Sequence, residues 1–240
     1  MPKLRFFTPN QTAEMLRVHP NDVRHGWIPR GWLTPTTNQL IPEAQIREIM
    51  RGEIERLFTP GEVARLFRTS FDAANDWMTQ GDLEAILLPD GQPRVRESIL
   101  RIALHQPRGP LGSDPLLTTA EIGHIYIVKS EAVINWFKRG DLPGFRTPSR
   151  TPGRPSLGDW RAHRSDVIIA LGEEVDLSSE PLTTIPQAAR HLGVTSLTVR
   201  RMVDDRRLDI TRTPYQRGRG HPRVWSRSVW ALAEQRRRDR

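Results

Sequence analysis

A threonine followed three residues later by Glu or Gln, and then by apolar residues at helical spacing, opens four stretches of this 240-residue chain: Thr8–Gln11, Thr59–Glu62, Thr118–Glu121 and Thr184–Gln187. Each opening is a capping box. The threonine hydroxyl and the acidic or amide side chain satisfy free N–H groups at a helix start. A phrase that returns at a near-constant period implies repeated supersecondary units, each with its own small core. The first copy needs one extra residue before Trp27 to stay in register with the others.

Within a copy, the box leads into an apolar stripe such as Val63, Ala64, Leu66 and Phe67. A short break such as Gly193-Val194-Thr195 then starts a second helix, carrying Ala74 and Trp77, or Val133, Trp136 and Phe137, or Val199, Met202 and Val203. Spacing of three and four residues places these on one face. Gly81 and Gly140 are helix-ending signals ahead of short strands expected at Leu83 and Leu142. Beyond them lie turn-rich hairpins. Residues 84–88 and 93–96 flank Pro89-Asp90-Gly91-Gln92, and the first copy turns at about Thr36 to Gln39. Copies 3 and 4 have longer tips, Arg146 to Pro155 and Thr213 to Pro222, with closing helices starting near Arg164 and Ser226. The expected class is mainly α with small β-hairpin wings, built as tandem winged helix-turn-helix modules. The boundaries fall at 1–55, 56–106, 107–175 and 176–240.

The fourth copy carries Gln187-Ala188-Ala189, Leu192-Gly193-Val194 and Thr198-Val199-Arg200-Arg201, then a run from Arg223 to Gln235. In these residues the chain resembles the excisionase and MerR-type winged-helix superfamily. Copies 2 and 3 keep the skeleton with altered exposed residues. Copy 1 departs most, with Pro20 and Gly26 where a second helix should run. The resemblance spans nearly the whole chain. It implies duplex DNA as the partner, a second helix of each module in the major groove, and a bacterial, phage or mobile-element setting.

Charge is distributed unevenly. Residues 1–55, 56–110 and 111–177 balance to +1, 0 and −1, whereas residues 178–240 hold fourteen basic and six acidic residues, a balance of +8. Dropping the last five residues still leaves +5 over 178–235. Arginine concentrated on one small domain suits a polyanion. On the last copy, Thr195, Ser196, Leu197, Arg200 and Arg201 are the expected major-groove face, and Arg212, Arg217, Arg219 and Arg223 the expected wing contacts. The third copy adds Lys129, Ser130, Asn135 and Lys138 on its helix and Arg146, Arg150 and Arg154 on its wing. The second presents Asp72, Asn75 and Asp76, which phosphates would repel. With Trp27 and Trp32 of the first copy, these form a possible protein-contacting surface. The alternative to a DNA-binding regulator or architectural factor (recombination directionality, plasmid partition or repression) is therefore an adaptor. It would hold DNA through modules 3 and 4 and a protein through modules 1 and 2.

Other classes are weakly supported. The chain has no cysteine, and its seven histidines are scattered, so no metal or cofactor is expected. Ser165 and Asp166 beside His163 suggest a helix start, not a catalytic triad, and no phosphate-binding glycine loop occurs. An enzyme is not expected. No apolar run reaches membrane-spanning length and the N-terminus lacks a signal-peptide pattern, so a cytoplasmic, nucleoid-associated protein is expected. Residues 105–115 and 173–181 are linker-like in composition, whereas the stretch from Ile46 to Phe58 reads as one helix. Modules 1 and 2 are thus expected to form a rigid pair, with freer joints elsewhere.

Overall fold

The computed structural model describes residues 5–149, 158–172, 181–214 and 220–238. It is mixed α/β with small antiparallel sheets. It divides into two units, Met1–Ser113 with Thr147–Asp159, and Asp114–Arg146 with Trp160–Arg240.

Four helices begin in the same way. Thr8, Thr59, Thr118 and Thr184 are extended caps whose hydroxyls accept the N–H three residues on. Gln11, Glu62, Glu121 and Gln187 accept the N–H of the cap in return. In the first unit these boxes open α1 (Pro9–Leu16) and α3 (Pro60–Phe67). Around them lie β1 (Phe6–Phe7), β2 (Ile41–Pro42), α2 (Glu43–Met50), β3 (Leu57–Phe58), α4 (Phe71–Gln80), β4 (Ile86–Leu87), β5 (Pro93–Arg96) and α5 (Glu97–Ala103). The second unit runs β6 (Leu116–Thr118), α6 (Thr119–Tyr126), α7 (Ser130–Arg139), β7 (Phe145–Arg146), β8 (Trp160–His163) and α8 (Arg164–Leu171). It continues with β9 (Leu182–Thr183), α9 (Ile185–Leu192), α10 (Ser196–Asp204), β10 (Ile210–Arg212), β11 (Pro222–Trp225) and α11 (Ser226–Arg238).

In three of the repeats the strand before the capping box pairs with the returning strand of the hairpin, giving the orders β3-β5-β4, β6-β8-β7 and β9-β11-β10. The first repeat has only β1 paired with β2. Helices and sheet enclose small aromatic cores. Phe67 meets Trp77 edge-on at 5.5 Å, and Tyr126 meets Trp136 likewise at 5.3 Å. The last repeat buries Ala188, Ala189, Val199, Met202, Val224 and Val229 instead.

The extra residue of the first repeat is absorbed by a π-helix, Asp22–Trp27. A π turn holds one residue more than an α turn. Trp27 therefore still reaches the core, where it is 1% exposed. The second helix expected to be broken by Pro20 and Gly26 survives in this form.

Three expectations need correction. The stretch from Ile46 to Phe58 is not one helix. Helix α2 stops at Met50, and Arg51 is left-handed, with its N–H and that of Gly52 closing onto Glu48 and Arg47 carbonyls. Arg96 donates to the carbonyls of Met50 and Arg51, fixing that end. Leu83 and Leu142 are buried turn residues, and the strands start three residues later, at Ile86 and Phe145. Nor does linker-like composition mean an absence of local contacts. Gln106 is buried within 105–113, donating to Pro110 and Ser113 and accepting from Gly112. Most of 173–181 lies outside the described residues, but the repeats on either side of it are docked.

That docking repeats an arrangement in the first unit. Arg94 of β5 gives Nε to the carbonyl of Leu16 at 3.3 Å, Nη2 to that of Arg17 at 2.7 Å and Nη1 to that of Pro93. Arg223 of β11 gives Nε to Tyr126 at 2.7 Å, Nη2 to Ile127 at 3.2 Å and Nη1 to Pro222. Each guanidinium thus satisfies the orphan carbonyls at the C-terminus of the preceding repeat's first helix. Apolar contacts accompany both. Leu57, Ile86 and Leu88 join the core of repeat 1, and Leu182 and Trp225 join that of repeat 3. In β8, Arg161 holds the same position and gives Nη1 to the Trp160 carbonyl. Polar linkers signal only that the linker is solvated, so composition was silent on these surfaces. Among the described residues, no helix is long and apolar enough to cross a membrane.

Candidate nucleic-acid interface

Helix α10 is set by the Thr195 cap, whose hydroxyl accepts Thr198 N–H at 3.2 Å. Its apolar stripe, Val199 and Met202, is buried against α9. Ser196, Leu197, Arg200 and Arg201 consequently face solvent, Leu197 at 60% exposure. Thr195 is exposed but spent on the cap. The helix ends at Asp204 and Asp205, so its N-terminal two turns are the cationic part. Arg190, Arg206 and Arg207 are exposed as well. Sequence reasoning passed over them, although the density of arginine in this repeat was the available signal.

Helix α7 has Lys129 as an exposed, extended cap, with Ser130 half-buried and Asn135 and Lys138 exposed opposite Val133, Trp136 and Phe137. Glu131 lies among them, so this face is mixed in charge. Helix α4 is capped by Ser70 and presents Asp72 and Asp76 to solvent, with Asn75 half-buried and Phe71 57% exposed.

The wings divide. Arg212 is exposed and gives Nη1 to the Gly220 carbonyl at 3.1 Å, closing the hairpin base. Arg146 lies 4.7 Å over the Trp160 ring. Arg150, Arg154, Arg217 and Arg219 lie outside the described residues. Arg223 is corrected: its guanidinium is committed to the Tyr126 and Ile127 carbonyls, and burial lowers its pKa. Trp27 is also corrected. It is a core residue, and only Trp32, packed edge-on to it at 6.4 Å, reaches the surface.

Ser165, His163 and Asp114 come together without forming a nucleophile and base. Ser165 donates both N–H and Oγ–H to the Asp114 carboxylate, and His163 Nδ1 lies 3.3 Å from the Asp114 carbonyl oxygen. The serine is bonded to the acid and not to the imidazole, so the cluster caps α8. Ser98 and Glu55 do the same for α5. Burial holds the Asp166 carboxyl above its ordinary range. No cluster of three His, Cys, Asp or Glu side chains able to hold a metal occurs among the described residues. No protein-family model matches the chain, and no curated protein or solved structure matches it significantly.

Proposed function

We propose that the chain is a tandem array of four winged helix-turn-helix modules that binds duplex DNA as a regulator or architectural factor. The reading is carried by α10, which buries Val199 and Met202 while leaving Arg200, Arg201, Ser196 and Leu197 outward on the most basic repeat. Such a face suits the major groove, where arginine pairs bidentately with guanine and apolar groups meet thymine methyls. Helix α7 is a secondary contact through Lys129, Asn135 and Lys138. Exposed Arg212 serves as a phosphate contact in this reading. Helix α4, with Asp72 and Asp76 outward beside Phe71, favours a protein partner for the first unit, and the adaptor reading rests on that face.

The test is selection of a preferred duplex by the full chain, followed by Arg200→Ala with Arg201→Ala. Loss of about 1–3 kcal/mol per base-reading contact on that duplex, with little change on random DNA, supports sequence reading. Equal losses on both would reduce these arginines to phosphate contacts. No salt-sensitive binding by the intact chain would overturn the proposal.

A further inference from the structure

The second and fourth repeats dock on their predecessors through matching arginines, but the two docking seams differ at one place. In the first unit, Arg17 at the end of α1 is ion-paired with Glu62 of α3. The segment after α5 folds back beside it. Arg101 donates to the Gly109 carbonyl, and Gly112 sits so close to Leu66 that a Cβ there would lie 3.0 Å from the Leu66 methyl. Counting from the capping boxes and closing helices, the second unit has Ile127, Gln187, His191 and Trp230 where the first has Arg17, Glu62, Leu66 and Arg101. The ion pair is gone, and a cleft of about 610 Å³ opens between α6, α9 and α11.

Its walls have a definite chemistry. Trp230 is 53% exposed, with its ring centre 4.8 Å from that of His191. Lys129 brings an exposed ammonium, and Ser226 a hydroxyl. Gln187 commits its carbonyl oxygen to the Thr184 cap and keeps its amide hydrogens. Among the described residues, no carboxylate lines the cleft. The volume falls within the usual span of small-molecule sites, which combine apolar or aromatic walls with a few placed polar groups. A cation beside an aromatic wall selects for negative charge on a flat ligand.

We propose that this cleft binds a small planar anion, an aromatic ring bearing a carboxylate or phosphate. The ring lies on Trp230, with the His191 ring tilted at 55° beside it, and the charge sits at Lys129. The site shares Lys129 with the proposed DNA face but needs no DNA to be occupied. The test uses the full chain without DNA and 8-anilinonaphthalene-1-sulfonate as a fluorescent planar anion. One saturable site per chain is expected, displaced by salicylate if the natural anion is a carboxylate and by adenosine monophosphate if it is a phosphate. Trp230→Leu and Lys129→Gln should each weaken the dye at least tenfold, with unchanged thermal melting, and Leu87→Ala, at an exposed strand residue elsewhere, should not. Binding unchanged by either cleft substitution, or equally tight binding of uncharged N-phenyl-1-naphthylamine, would overturn the proposal, as would absence of a saturable site.

Discussion

Arg94 and Arg223 show how much depends on whether a guanidinium faces water or carbonyl oxygen. Both bind the end of a neighbouring helix with Nε and Nη2 and give Nη1 to the preceding proline carbonyl, and burial lowers the pKa of both. Removing either leaves helix-end carbonyls without donors, so Arg94→Ala and Arg223→Ala should each cost about 1–3 kcal/mol, read as a lower denaturation midpoint. Lysine should rescue poorly, because one ammonium cannot span two carbonyls as a planar fork does. Glu62 carries a different signature. Burial alone would raise its pKa, but hydrogen bonds from Thr59 N–H, Arg17 and the Thr59 hydroxyl hold it below the ordinary value. A lowered folded pKa gives stability that is present above the ordinary carboxylate range and lost as pH falls through the folded value. Glu62→Gln should therefore flatten the acid limb of the stability curve, while the cap survives as it does with Gln11 and Gln187. Gly144→Ala should also destabilise, by about 1–3 kcal/mol, because a Cβ there would lie 2.4 Å from the Phe137 ring.

The π-helix Asp22–Trp27 makes a prediction for whole elements. Deleting His25, an exposed residue, should convert the turn to α geometry and keep Trp27 in the core, leaving the melting temperature nearly unchanged. Deleting Asn75 from α4 should instead swing Trp77 about 100° off the core face, the rotation of one α-helical residue, and cooperative melting should be lost. The same contrast explains what the sequence disclosed. Capping boxes and the Trp77, Trp136 and Met202 register are local patterns, so the helices and the extra residue before Trp27 were legible. The π turn that absorbs that residue was not, because periodicity records a slip without saying how the backbone takes it up. The exposed face of α10 was legible for the same local reason. Arg223 was misread as a DNA contact, since its partners lie 96 and 97 residues away. The motif Pro-Arg-Val, present at 93–95 and 222–224, was the available clue.

Across the molecule, arginines fall into two populations that one reagent can separate. Phenylglyoxal should modify exposed Arg200 and Arg201 in the free protein and spare Arg94, which is 3% exposed. Bound duplex should protect the first two and leave the last unchanged. Protection confined to the first unit would contradict the assignment of the interface to α10. The placement of Arg94 and Arg223 also bears on how the chain is made. Each sits on the returning hairpin strand, which pairs with the strand preceding its own repeat's capping box. The segment that closes the second and fourth repeats is thus the one that fastens each to its predecessor. On a ribosome, the end of α1 waits in water until residue 94 has emerged, and the end of α6 until residue 223. Synthesis then delivers each pair of repeats in a single late event, with the latch carried by the last strand to arrive.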